Sequence, residues 1–354
     1  MRALINIAKR FSHWILVIGY WSLILTLPSL AAIVGQADDA TLVGGGARPI
    51  GMGRAFTAVA DDADGIFINP AGIAGIKGPT ALAMFTNLLG AVYYSEYSGA
   101  VPSQIGTVGL GYISTGVNQI PTKDSQGNIV LSDYYDSLLI FSYSSPLARW
   151  FGYGRNLFVG LNYRFYNRGT SGGVNEEATG QSFDFGLKLY VTPYLSLGLC
   201  RQNILPVSLG GVLRYNTGAE ETLASLTKVG LAVRPIPLNG NLLLVLDADL
   251  PGQTGRPATL HAGGEYNIIK GVTVRAGLDQ SIDSLTPSQT NWNPTFGLST
   301  SFSGLRVDYA YHAYYNDASF ATTYISLSYV GEPWLALKGG PSPLPETVER
   351  RGHY

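Results

Sequence analysis

From about residue 79 to residue 330, apolar and polar positions alternate with a period of two. Leu157, Val159, Leu161, Tyr163 and Phe165 interleave with Phe158, Gly160, Asn162, Arg164 and Tyr166. Phe183, Phe185, Leu187, Leu189 and Val191 interleave with Ser182, Asp184, Gly186 and Lys188. The same holds for Val272 to Asp279 and for Leu305 to His312. Successive strand residues point to opposite faces, so each run predicts a strand with one oily face and one polar or small face. Such runs lie near 80–86, 91–98, 106–114, 136–144, 156–166, 182–191, 194–201, 226–235, 240–249, 258–267, 271–279, 294–302, 304–313 and 322–330. Thr192-Pro193 and Ser303-Gly304 are very short turns, whereas 115–133, 167–181, 202–224 and 280–293 are rich in Gly, Asn, Ser, Thr and Asp and predict long loops. An even set of about 14 antiparallel strands fits a transmembrane β-barrel, with long loops outside and short turns in the periplasm.

A soluble sheet with one wet face would show the same alternation, so composition has to decide. Charged residues are only 13% of the 354 and aromatics 11%, with 22 tyrosines. That is about half the usual charge of a soluble domain. The oily faces carry almost no charge, and Tyr93, Tyr94, Tyr134, Tyr135, Trp150, Trp292, Tyr324 and Tyr329 sit near strand ends, as interfacial girdles require. The body of the chain has no apolar run of about 20 residues, which excludes a helical membrane protein.

The one long apolar run is at the start. Arg2, Lys9 and Arg10 precede an apolar stretch from Trp14 to Leu27, Pro28 breaks it, and Ser29-Leu30-Ala31 offers a cleavage site. Residues 1–31 therefore read as an export signal, with Gly35-Gln36-Ala37 as a second candidate cut. Cleavage after Ala31 removes three basic and no acidic residues, which leaves 20 Lys+Arg against 24 Asp+Glu. That balance argues against a nucleic-acid surface. Cys200 is the single cysteine, so neither an internal disulfide nor a cysteine-based metal site exists.

Residues 32–78 are a different material. Between Gly44 and Gly75 the chain reads GGGARPIGMGRAFTAVADDADGIFINPAGIAG. Glycine- and alanine-rich sequence buries little apolar area by itself and needs a container, so it is expected as a plug, or hatch, inside the barrel. Asn69 before Pro70 is pushed out of helix, and its side chain can cap the next turn. Asp61, Asp62 and Asp64 either begin a helix or pair with basic residues on the wall; the later glutamate of a calcium loop is missing. Phe56, Ile66, Phe67 and Ile68 are the apolar side chains that either touch a greasy ligand or simply pack the plug. Residues 331–354, broken by Pro333, Pro341, Pro343 and Pro345, form a flexible tail.

Arg48-Pro49-Ile50-Gly51-Met52-Gly53-Arg54-Ala55-Phe56, then Ala60-Asp61-Asp62-Ala63, then Asn69-Pro70-Ala71-Gly72 resemble the FadL-type outer-membrane family and its PorV-type branch. The resemblance implies a 14-stranded outer-membrane barrel whose hatch carries Gly51, Gly53, Arg54, Asp61, Asp62, Asn69, Pro70 and Ala71. FadL-type members pass a hydrophobic ligand, such as a long-chain fatty acid, which leaves sideways through a kinked strand. PorV-type members serve a protein secretion machine. This chain is short for a fatty-acid collector and carries an extra tail.

The polar strand faces place Arg164, Asp184, Lys188, Lys228, Asp247, Asp249, Glu265, Arg275, Asp279, Arg306 and Asp308 toward the lumen. Both signs occur, which is unlike the one-sided ring of an ion-selective pore and suits a salt-bridged wall. Beyond the signal the histidines are His261, His312 and His353, and neither HExxH nor GxSxG occurs, so no enzyme is expected. Neither a cofactor nor a metal is expected. The expected partners are outer-membrane lipid and a hydrophobic small molecule, with secretion-system proteins as the alternative, and not nucleic acid.

Overall fold

The computed structural model describes residues 36–37, 40–43, 45–88, 90–123, 126–152, 154, 156–235, 240–252, 256–282, 290–314 and 321–333. The expected export signal over 1–31, Gly44 and residues 334–354 of the expected tail lie outside them. A two-residue strand, β1 (Gln36–Ala37), precedes the wall. The first half of the wall is β2 (Thr80–Leu88), β3 (Val92–Ser103), β4 (Gly106–Lys123), β5 (Ile129–Pro146), β6 (Leu157–Gly172), β7 (Glu176–Thr192) and β8 (Leu195–Gln202). Two short strands follow, β9 (Val212–Tyr215) and β10 (Glu220–Leu223). The second half is β11 (Leu226–Val233), β12 (Leu242–Pro251), β13 (Thr259–Ile269), β14 (Val272–Ile282), β15 (Thr290–Phe302), β16 (Leu305–His312) and β17 (Thr322–Val330).

Every wall strand pairs antiparallel with the next; β8 pairs with β11, and β17 closes on β2 from Ile325↔Phe85 to Val330↔Thr80. The result is a closed 14-stranded antiparallel barrel. Closure leaves no sheet edge, the condition for crossing lipid with strands. Outward residues such as Leu161, Phe183, Leu246, Leu298 and Ile325 are exposed, while their strand neighbours turn inward and are buried. The chain enters and leaves the wall at one end, which also carries the short turns at 103–106, 192–195 and 302–305.

The loop expectation needs correction at three connections. Residues 115–123 and 129–133 belong to β4 and β5, and 167–172 and 176–181 to β6 and β7. Most of these positions are polar or small, so the sequence pattern fades, yet the ladders continue from Val117↔Tyr134 to Lys123↔Ile129 and from Asp133↔Ser171 to Tyr135↔Gly169. Backbone pairing, not burial, keeps them extended. The wall is therefore tall at β4–β7 and low at β8, β11 and β16. The connection 202–224 also holds strands: β9 pairs with β7 and β10, and β1 lies parallel to β10.

Residues 45–78 run inside this wall. The helix Ala47–Gly51 packs on β14–β17, the helix Gly65–Ile68 on β4, and the 3-10 turn Pro70–Gly75 on β5–β7. Their side chains and the inner faces of the strands form one buried cluster that includes Ile50, Phe56, Ile66, Phe67, Ile73, Met84, Ile113, Leu138 and Ile140.

Candidate functional site

The lumen has two unlike sides. On β11–β16 the inner face is ionic. Arg275 joins Glu265 (2.7 Å) to Asp308 (2.9 Å), and Arg306 joins Asp308 (2.7 Å) to Asp62 of the N-terminal segment (3.0 Å). Arg48 completes the cluster from the segment, meeting Asp61 at 2.6 Å, Asp62 at 2.8 Å and Glu265 at 2.9 Å. Nearer the loop-rich end, Asp279 accepts from His261 Nδ1 (2.7 Å) and His312 Nε2 (2.8 Å) and faces Arg54 at 3.3 Å, while Lys228 pairs with Asp249 at 2.5 Å. Each charge in these two clusters has an opposite partner, which offsets its desolvation.

Backbone groups of the segment are held by wall side chains. Asp247 accepts from the Phe56 and Thr57 amides at 2.8 and 2.7 Å, Lys188 donates to the Val59 carbonyl, and Asn162 and Gln202 donate to the Ile66 and Phe67 carbonyls. Arg164 bridges Asp184 and Thr41. The segment gets this close because the wall presents glycine there. A Cβ at Gly160 would strike the Ala71 amide, one at Gly198 the Thr57 carbonyl, and one at Gly277 the Gly53 amide.

On β2–β5 the inner face is apolar: Leu82, Met84, Ile113, Leu138 and Ile140 are buried. Ile66 and Phe67 lie against Gly109 and Gly111. Small hydroxyl side chains such as Ser98, Ser142 and Ser144 interrupt the apolar face, as does Glu96, which accepts from the Gly46 amide at 3.0 Å and from Tyr94 Oη at 3.1 Å. Glu96 escaped the sequence reading, although it is the only charge in β3. Arg48 and the lumen glycines were missed as well, because their role depends on partners more than 100 residues away.

Of the residues singled out in the motif, Gly51 and Gly53 meet the hydroxyl of Thr295, whose Oγ1 donates to the Gly51 carbonyl and accepts from the Gly53 amide. Arg54, Asp61 and Asp62 are the ion-pair members described above. Asn69 caps as its place before Pro70 predicts, accepting from the Ala71 amide at 3.1 Å, and also donates to the carbonyls of Thr57 (2.9 Å) and Leu187 (3.1 Å). Pro70 and Ala71 lie on the 3-10 turn; Ser144 Oγ reaches the Ala71 carbonyl. Asn69→Ala is expected to cost about 2–4 kcal/mol, because two buried carbonyls lose their donor. Limited proteolysis within 45–78 should accelerate accordingly. Phe56, Ile66, Phe67 and Ile68 are all at most 4% exposed.

Asp64 lies on the segment, not on a membrane-crossing strand, and it differs from its neighbours. Both carboxylate oxygens are buried without a hydrogen-bond partner. Burial, with Asp62 and Glu96 adding like charge, pushes its pKa well above the usual carboxylate range. A raised value means the neutral form fits the folded state. The stability it contributes is complete below the ordinary pKa of about 4 and is lost as pH rises through the folded value. Protease resistance of the segment should therefore fall with rising pH, and Asp64→Asn should flatten that slope. An unchanged slope in the variant would assign the effect elsewhere.

No family model and no curated protein matches the chain. Solved structures do. The toluene transporter TbuX of Ralstonia pickettii is 12% identical, with 82% of this chain and 99% of that one covered at a TM-score of 0.58. The CymD monoaromatic hydrocarbon channel (14%, 82% and 98%, TM-score 0.59) and a FadL homologue of Pseudomonas aeruginosa (13%, 81% and 98%, TM-score 0.54) match similarly. The fold is that of the FadL-type outer-membrane barrels. Beside the apolar inner face the wall is continuous. The ladder of β4 with β3 is unbroken from Tyr93↔Gly116 to Ser103↔Gly106, and with β5 from Thr107↔Ser144 to Val117↔Tyr134. The bulge in β4 lies beyond this stretch, between Val117 and Ile120.

Proposed function

We propose that this protein is a gated outer-membrane barrel that admits hydrophobic small molecules down their gradient, with residues 45–78 as the hatch. The reading is carried by the way the hatch is held. Side-chain ion pairs and hydrogen bonds fix it to the wall with no shared strand ladder, so it can leave and return without unravelling the barrel. The fold supports the same reading, since its solved examples include hydrocarbon and toluene channels. In the closed state the pocket between the hatch (Asp62, Ala63) and β2, β16 and β17 (Thr80, Leu82, Arg306, Ser328) holds only about 10 Å³. That is room for one water at most, so passage at this edge of the hatch requires hatch movement.

Entry of N-phenyl-1-naphthylamine, an uncharged dye that an intact outer membrane excludes, tests the reading. Cells producing the protein should brighten several-fold faster than cells without it. Equal rates would refute it. The tightly filled interior favours one second reading, a PorV-like component that binds secretion proteins and transports nothing. Native mass spectrometry of gently extracted protein separates the two: a lone barrel fits the channel, a stoichiometric protein complex the secretion component.

A further inference from the structure

The two sides of the lumen grip the hatch by different means. Toward β7–β16 the grip is ionic and polar, through Asp247, Lys188, Glu265, Arg306 and Asp279. Toward β2–β5 it is apolar contact of Ile66 and Phe67 with Gly109, Gly111 and the side chains around them, with Glu96 and Ser144 as polar points. Parting an apolar seam to admit an apolar molecule exchanges one greasy contact for another, whereas parting the ionic side strands buried charges. The ladders of β4 with β3 and β5 are unbroken beside this seam, so the wall there offers no gap and the seam leads along the barrel axis.

Resting on the channel reading, we propose that cargo passes axially between the Gly65–Ile68 helix and the inner face of β2–β5, that the hatch stays tethered to β7–β16 meanwhile, and that the seam selects uncharged molecules over carboxylates. The selection follows from the charges along the route. Glu96 is acidic, and the cations Arg306 and Arg164 are engaged, Arg306 by Asp62 and Asp308 and Arg164 by Asp184 and Thr41. A carboxylate headgroup would meet a like charge and find no counter-ion.

Two reversible cross-links in a Cys200→Ala background test the route. Ile66→Cys with Gly109→Cys closes the seam; an added Cβ at Gly109 lies 3.2 Å from Ile66 Cγ1, and the substitution of Ile66 makes the room. Ala58→Cys with Ser196→Cys tethers the opposite side, where Ser196 Oγ donates to the Ala58 carbonyl at 3.0 Å. Dye entry should fall at least tenfold in the oxidised seam variant and recover on reduction, while the oxidised tether variant stays within twofold of the Cys200→Ala parent. Equal loss from both cross-links, or loss from neither, overturns the route. A dansyl-labelled undecanoate should enter at least tenfold more slowly than the neutral dye, and equal entry overturns the selectivity. If the Cys200→Ala parent admits no dye above protein-free cells, the channel reading itself falls and takes the route with it.

Discussion

Deletion of residues 44–75 is expected to turn a silent protein into an open pore. The wall does not depend on those residues for pairing: fourteen strands close on one another, and the seam between β17 and β2 lies outside the deleted stretch. What the deletion removes is the material between facing walls. Ile50, Phe56, Ile66, Phe67 and Ile73 leave the shared core, and the inner glycines then face water. The ionic face of β11–β16 keeps its own pairs, Arg275 with Glu265 and Asp308 and Arg306 with Asp308, so the emptied lumen wets readily. In planar bilayers the deletion variant should carry a steady open-channel current where the parent shows background. Indistinguishable currents would mean that the hatch is not what closes the barrel.

Arg48→Ala is expected to loosen the segment from the ionic side of the wall. The guanidinium is 8% exposed and meets three carboxylates, with its plane over the Phe56 ring at 5.1 Å. Breaking a buried pair costs about 3–5 kcal/mol when the partner is left alone. Here each partner keeps another cation: Asp62 has Arg306, Glu265 has Arg275, and Asp61 has Arg234 at 3.9 Å. The lower end, about 3 kcal/mol, is therefore expected. Arg48→Lys should recover only part of it, since one ammonium does not fork between Asp62 and Glu265. The exposed pair of Arg214 with Glu220 is the internal control, and its loss should cost at most about 0.5 kcal/mol. Urea unfolding midpoints and proteolysis of the hatch read both. A midpoint unmoved by Arg48→Ala would show that the cluster does not hold the segment.

The strands were legible because a lipid-facing wall imposes strict alternation, and every run found in the sequence corresponds to a wall strand. Their lengths were not, for a physical reason. Beyond the lipid band Thr115–Lys123 and Asn167–Gly172 need no oily face, and only the partner strand, invisible in a linear pattern, keeps them extended. Inner-face charges such as Arg275 and Asp308 could be placed by register, but which of them meets which could not. Arg48 reaches Glu265 across 217 positions, and Asn69 reaches Leu187 across 118. The glycines of the inner wall read as weak strand positions until the hatch backbone is seen lying on them.

Hydrogen exchange of the hatch amides, followed by mass spectrometry with and without a saturating hydrophobic ligand such as N-phenyl-1-naphthylamine, tests most directly whether the closed barrel opens by hatch movement. The amides of Gly46, Phe56, Thr57 and Ala71, all bonded in the closed state, report on it. Ligand should speed exchange on the seam side, at Gly46 and across the Gly65–Ile68 helix, at least tenfold, and leave the tethered Phe56 and Thr57 amides and the wall ladders unchanged. Hatch amides that stay as slow with ligand as without it would contradict gating by the hatch.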